Sequence, residues 1–263
     1  MSPRRIAAVV LRQLFLYRRS LTRLLEVFYW PTVDLLLWGF VTLYLEKSAS
    51  GLPQFVSYFL GALILWNILY RAQQGIAVSF LEDIWARNLT NLFVSPLKFS
   101  EYIAGLLVIS ITKTILAFGA MSLLAGVIYS FNIFRLGLAL LPLVLNLVAV
   151  GWSIGFTTMG FILWFGQEAE ILAWALAFIF LPLSAVFYPV DVLPPLIQPL
   201  ARLTPSAHAF EGMRMVINQG LFPWEEILWA SGLNLIYLGA SLLFLHMVYN
   251  RSQTRGSLPK IGE

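Results

Sequence analysis

Residues 136–165 read LGLALLPLVLNLVAVGWSIGFTTMGFILWF, thirty consecutive positions without a charged side chain. An α-helix rises about 1.5 Å per residue, so about 20 such residues cross a hydrocarbon core about 30 Å thick. The rest of the chain cannot wrap this segment in polar surface. Of 263 residues, 59% are hydrophobic and 11% charged, and the 17 bases and 13 acids crowd into short stretches. The expected fold is therefore an all-α integral membrane protein.

Outward from this segment, five more apolar runs stand at 27–45, 55–75, 105–129, 171–188 and 227–249, making six spans in all. An even number puts both termini on one side. That side then holds eleven Lys and Arg, against four (Lys47, Arg135, Arg202 and Arg214) on the other. By the positive-inside rule both termini are cytoplasmic, and the net charge of +4 reflects topology rather than nucleic-acid binding. There is no cysteine, which excludes disulfides.

Residues 1–26 repeat with helical period. Ile6, Val10, Leu14, Tyr17, Leu21 and Leu24 fall on one face, and Arg5, Arg12, Arg19 and Arg23 on the other. The pattern predicts an interface helix with its apolar face in the acyl boundary and its basic face toward headgroups or a cytoplasmic partner. Residues 27–250 form the six-span domain and 251–263 a basic cytoplasmic tail.

Asp34, Arg71 and Lys113 interrupt the first three spans. Each costs roughly 2.5–3.5 kcal/mol at a helix centre, so Asp34 is expected to pair with Arg71 or Lys113 inside the cytoplasmic half of the bundle. After the second span, residues 81–97 (LEDIWARNLTNLFVSPL) predict a short amphipathic helix. Leu81, Trp85, Leu89 and Leu92 share a stripe, while Glu82, Asp83 and Arg87 lie away from it. Pro96 ends the helix and Ser100 caps the next span. Such a helix suits a groove on another protein.

Between spans five and six, Pro182, Pro189, Pro194, Pro195, Pro199 and Pro205 forbid one continuous helix, yet the stretch is too apolar for an ordinary loop. Two short re-entrant helices within 189–222 satisfy both facts, one from Pro195 and one capped by Thr204 with Pro205 in its first turn. His208, Glu211 and Arg214 share a face of the second. They are expected to lock the external helices together; the alternative is a membrane-embedded enzyme using His208 and Glu211 as acid and base.

Two of these stretches resemble one family. Glu82-Asp83, Arg87, the short helix, Ser95-Pro96-Leu97 and Glu101 are similar to the coupling segment of ABC-2-type exporter permeases, although many members have Gly-Thr where this chain has Asn88-Leu89. Phe187-Tyr188-Pro189-Val190, Leu193-Pro194, Pro205, His208, Glu211 and Arg214 resemble the family's external helices. The resemblance implies ATPase contacts at Glu82, Asp83, Trp85, Arg87, Leu89, Leu92, Phe93 and Pro96. It implies an external gate at Tyr188, Pro189, Pro194, Pro205, His208, Glu211 and Arg214. A lesser cytoplasmic contact is expected from the turn Gly166-Gln167-Glu168-Ala169-Glu170, through Glu168. No phosphate-binding loop occurs, since none of the four lysines follows a glycine. ATP and Mg are therefore expected on separate ABC ATPase subunits, with no cofactor on this chain. A homodimer in a bacterial-type inner membrane is expected, exporting a drug, a lipid, a lipid-linked glycan or a polysaccharide between its two copies. Small residues Gly151, Ser153, Gly155 and Gly160 predict close helix packing along the fourth span.

Overall fold

A computed structural model describes residues 1–48 and 55–254, so the basic tail from 255 lies outside the described residues. Among these residues every regular element is helical: α1 (Pro3–Arg18), α2 (Leu21–Ser48), α3 (Phe55–Trp85), α4 (Leu89–Val94), α5 (Phe99–Tyr129), α6 (Leu140–Phe165), α7 (Leu172–Leu183), α8 (Gln198–Arg202), α9 (Pro205–Gln219) and α10 (Trp224–Thr254). Short 3₁₀ turns precede α6 and α7, and another lies at Val190–Val192.

Among the described residues, four helical segments are long and apolar enough to cross a membrane: Val27–Lys47, Phe99–Tyr129, Ile133–Phe165 and Trp224–Thr254. Two of the expected six spans differ from these. α3 has 31 residues, but it carries Arg71, Glu82 and Asp83, and from 60 to 84 nearly every side chain is buried by protein. It is the axis of the bundle, packed by α6, α5, α2, α7 and α9. α7 has only 12 residues, about 18 Å of rise, in place of the expected span at 171–188. Pro182 lacks a donor for the helix, Ser184 donates its hydroxyl back to the Phe180 carbonyl at 2.8 Å, and Ala185 takes a positive φ of 49° that ends the segment.

The expected helix at 1–26 is divided in two. α1 stops at Arg18, and Ser20 accepts the Arg23 N–H at 3.4 Å, capping α2. Leu21 therefore belongs to the first turn of α2 rather than to an interface helix.

Axis and neighbours meet at close range where the small residues stand. A Cβ on Gly151 would collide with the Leu69 carbonyl oxygen of α3 and lie 2.7 Å from Ala72 Cβ; one on Gly155 would lie 3.0 Å from Ile76 Cβ. Gly160 makes the same room for Phe244 of α10. Lipid tails are as apolar as leucine, so van der Waals fit and interhelical hydrogen bonds carry the association. The bonds include Gln73 Nε2 to the Ala173 carbonyl at 3.0 Å, Trp152 Nε1 to Ser110 Oγ at 3.0 Å, and Asn234 Nδ2 to Asn146 Oδ1 at 2.8 Å.

Gly151→Leu is expected to lower stability by roughly 1–3 kcal/mol through overpacking. Gly119→Leu, whose Cβ meets nothing within 4 Å, should stay within about 0.5 kcal/mol. Thermal unfolding in detergent measures both.

Candidate functional site

At one end of the bundle the acids and bases of the first hundred or so residues meet one another. Asp83 Oδ2 accepts from Arg12 Nη2 at 2.7 Å and from the buried Tyr102 hydroxyl at 2.7 Å. Glu82 Oε1 lies 3.5 Å from Arg23 Nε and accepts from the Tyr17 hydroxyl at 3.4 Å. Glu101, the third residue of α5, accepts the Lys98 N–H at 3.0 Å and the Ser2 N–H at 2.7 Å, with Arg5 Nη1 at 3.4 Å. Glu101 thus does the work expected of Ser100 at the start of α5. The basic face of α1 is turned into the protein, with Val9 and Gln13 buried beside it, while Leu11, Leu14 and Phe15 face outward. Guanidinium groups against an apolar bundle are far less costly when they meet buried carboxylates. For the same reason Glu82 and Asp83 do not present themselves to a partner; their side chains are 5% and 1% exposed.

The segment 81–97 is not a single helix. α3 continues through Trp85, the chain turns at Arg87 with φ 51°, and α4 follows. Asn88 N–H bonds the Asp83 carbonyl at 2.9 Å and Arg87 N–H the Ile84 carbonyl at 2.8 Å, the two bonds of a Schellman turn. Glycine is the usual residue at that left-handed position, and a non-glycine there costs of order 1–3 kcal/mol. The apolar stripe divides accordingly. Leu81 and Leu89 are buried in the core and Leu92 is half-buried, while Arg87, Asn91, Val94 and Pro96 are exposed. The side chain of Phe93 lies outside the described residues. Val94, 82% exposed at the end of α4, is missed by a reading that treats 81–97 as one continuous helix.

Beside this turn sits the other expected contact segment. Trp85 Nε1 donates to Glu170 Oε2 at 3.1 Å, and its ring stacks on Trp174 at 6.3 Å. Glu168 is exposed next to them. Arg87, Val94, Pro96, Glu168 and Glu170 therefore share one end of the molecule.

Of the charges within the spans, Asp34 is half-buried and within electrostatic reach of Arg71, whose Nη1 donates to Gln74 Oε1 at 3.1 Å. Lys113 Nζ donates to Ser79 Oγ at 2.9 Å and lies 4.5 Å from the centroid of the Tyr17 ring. Lys113 thus belongs with Tyr17 and Glu82, and Arg71 with Asp34.

At the opposite end, α9 begins with Pro205 after Thr204, as its sequence predicts, whereas α8 begins at Gln198 rather than Pro195. The Thr204 hydroxyl does not cap α9; it donates to the Ala201 carbonyl at 2.7 Å. Tyr188 donates its hydroxyl to the Pro182 carbonyl at 2.8 Å, Pro189 leads into the 3₁₀ turn, and the Pro194 carbonyl accepts from Ile197 N–H at 2.8 Å. Arg214, buried, is the clasp: Nη1 donates to the Tyr58 hydroxyl of α3 at 2.6 Å and to the Ala185 carbonyl at 2.8 Å, and Nε to Glu211 Oε2 at 3.0 Å. Glu211 Oε1 also accepts the Val190 N–H at 2.8 Å.

His208 does not pair with Glu211. Its Nδ1 is 2.6 Å from Glu226 Oε2 of α10 and its Nε2 is 2.8 Å from the Arg202 carbonyl. A carbonyl and a carboxylate only accept, so this geometry fits the doubly protonated ring. Burial disfavours that charge, but the Glu226 hydrogen bond, the Arg202 carbonyl and the charges of Glu226 and Glu211 outweigh it and raise the pKa above the ordinary 6.5. A cleft of about 570 Å³ opens beside it, lined among others by Asp191, Arg202, Glu225, Glu226 and Trp229. With Glu211 bound to Arg214 and His208 to Glu226, the pair is not arranged as the acid and base of a reaction. Among the described residues no group of three or more His, Cys, Asp or Glu could hold a metal ion.

A family model described as ABC-2 type transporter matches residues 4–218, most of the chain. No curated protein matches it.

Because the raised pKa favours the imidazolium, the His208–Glu226 bridge is at full strength below pH 6.5 and is lost as pH rises through the raised value. Glu226→Gln should bring the His208 titration, followed by NMR, to lower pH and flatten the pH dependence of thermal stability. At the α1 end, Asp83→Asn should weaken α1 docking by roughly 2–4 kcal/mol, less than for a fully buried pair because the Arg12 side chain is 26% exposed. Faster proteolysis within residues 3–18 is the measure.

Proposed function

We propose, from the premise that the chain belongs to the ABC-2 type transporter family and is thus a multi-pass membrane subunit of an ABC transporter, that it is an exporter permease. It works in a bacterial-type inner membrane with six spans and both termini in the cytoplasm. Two copies enclose the pathway, and separate ABC ATPase subunits bind ATP and Mg. The cargo is hydrophobic or amphipathic: a drug, a lipid or a lipid-linked glycan.

The observation that carries this reading is the strained, exposed turn joining α3 to α4. A non-glycine residue in the left-handed region is costly, and such strain is most often kept where the side chain has work to do outside the fold. Arg87 and Val94 stand outward there, beside Glu168, on the end of the helix that forms the axis of the bundle. Closure of the ATPases pushes on this turn and on the segment 166–171, and α3 and α5 carry the motion inward. Glu82 and Asp83 act on the same step from inside, by holding α1 to α3. At the far end, the clasp of Arg214, Glu211 and Tyr58 and the His208–Glu226 bridge gate release.

Val94→Asp and Arg87→Ala are each expected to reduce co-purification with the ATPase, and permease-stimulated ATP hydrolysis, by about tenfold, equivalent to about 1.4 kcal/mol of interface energy. Membrane content should be unchanged. Undiminished ATPase retention by both variants would overturn the assignment of this face. Arg87→Gly is more specific: thermal stability should rise by about 1 kcal/mol as strain is relieved, while coupling falls.

A further inference from the structure

The cleft of about 570 Å³ beside His208 is bounded by the 3₁₀ turn at Val190–Val192, the end of α8, α9 and the first turns of α10. Its volume falls within the range, roughly 300–1,000 Å³, of sites that hold a small organic ligand. The lining decides which kind. Asp191, Arg202, His208, Glu211, Glu225 and Glu226 meet there, and an acyl chain or a hydrophobic drug would strip water from them without returning a hydrogen bond. A charged ligand fares little better, because most of these charges are already matched within the protein. Asp191 pairs with Arg202, Glu226 with the His208 ring and Glu211 with Arg214, so an ion has to compete with a partner already in place. Glu225, exposed, has no ion pair among the described residues.

A neutral ligand rich in hydroxyl groups meets neither obstacle. One Arg202 nitrogen reaches one Asp191 oxygen at 3.4 Å, and both side chains are exposed, which leaves further N–H groups and oxygens of the pair unused. A hydroxyl both donates and accepts, so it can bridge a guanidinium and a carboxylate without upsetting their balance. Opposite chemistry is supplied by one flat apolar plate. The Trp229 ring, 58% exposed, lines the cleft and lies within 16° of parallel to the His208 ring, with centroids 6.2 Å apart. Indoles near a membrane surface commonly serve as interfacial anchors. This one follows Glu225 by four residues, on the same face of α10, so that ring and carboxylate line the cleft together. A pyranose ring has the complementary form, an apolar C–H face and hydroxyls around its edge.

We propose that this cleft binds neutral sugar rings, one ring lying on Trp229 with its hydroxyls on Asp191, Arg202 and Glu225. The site belongs to this chain alone; taking its ligand as the glycan part of an exported cargo rests on the exporter reading above.

The test uses the purified full-length protein in a polyoxyethylene detergent, which carries no sugar headgroup, titrated separately with maltotriose, chitotriose and tetraethylammonium. Saturation-transfer NMR reads binding, and no ATPase is present, so the outcome is independent of the contacts assigned to Arg87 and Val94. At least one trisaccharide should bind saturably, with an affinity that does not change with salt, since a neutral ligand is not screened. Trp229→Ala should weaken that affinity about tenfold and Trp229→Phe should keep most of it. Trp224→Ala, at an exposed indole outside the lining, should leave it unchanged. If Trp229→Ala does not fold, Asp191→Ala/Glu225→Ala gives the reading, again with a loss of about tenfold, because both side chains are exposed. Binding of neither trisaccharide, undiminished affinity in the cleft variants, equal loss in Trp224→Ala, or tighter binding of tetraethylammonium than of the sugars would each overturn the proposal.

Discussion

The half of the molecule that holds α1 depends on the pairing of three basic side chains from α1 and α2 with three carboxylates from α3 and α5. Arg5, Arg12 and Arg23 meet Glu101, Asp83 and Glu82. Each of these acids is nearly inaccessible, and an uncompensated carboxylate at such a position costs several kcal/mol. Exposed apolar residues of α1 alone would let that helix lie anywhere on a membrane surface. The ion pairs fix it in one place, with Val9 set so close to Gly105 that a Cβ there would lie 2.6 Å from Val9 Cγ1. Charge pairing therefore orients α1, and packing then makes the orientation tight.

This constraint explains why the α1 end of the bundle is only partly legible in sequence. Period alone separates the face of Arg5 and Arg12 from the face of Leu14, but it does not say which face turns inward. In water the apolar face would be buried. Beside a bilayer both faces have a favourable partner, lipid for one and carboxylates for the other, so the usual inference reverses. Glu82 and Asp83 could be seen as charged neighbours of the connection, yet their partners lie about 60 to 70 positions away in the chain. The break at Arg87 was hidden for a different reason. Periodicity runs from Leu81 to Leu92 without a glycine or proline, and the turn is made by a residue that ordinarily avoids it.

Elsewhere sequence and structure agree where steric rules act locally. Small residues on α6 mark its contacts with α3 and α10, and Pro205 after Thr204 marks the start of α9, because both follow from backbone approach and proline geometry. The contacts of α9 are half legible. Glu211 and Arg214 meet as their three-residue spacing suggests, but Glu226, the partner of His208, comes from the next long helix. The short α7 shows the limit of hydropathy: 171–188 is apolar throughout its first half, yet Pro182 and the turn at Ala185 end the regular helix at Leu183.

α3 joins the two ends. Tyr58 near its start receives Arg214, and the Arg87 turn follows directly on its last residue. Its 31 residues span about 46 Å, and between 60 and 84 they are held on nearly all sides by α5, α6 and α2. A helix so enclosed does not bend freely, since close-packed interiors transmit displacement rather than absorb it. Gly151 and Gly155 of α6 bring a smooth backbone surface against Leu69, Ala72 and Ile76, which is the kind of contact along which one helix slides past another. On the proposed coupling, a push on the turn at Arg87 would be relieved by sliding of α3 along α6. Such sliding strains the Arg214–Tyr58 bond at the opposite end, where one buried guanidinium holds α3, α9 and the segment after α7 together. Arg214 thereby ties the geometry of α9 to the position of the axis.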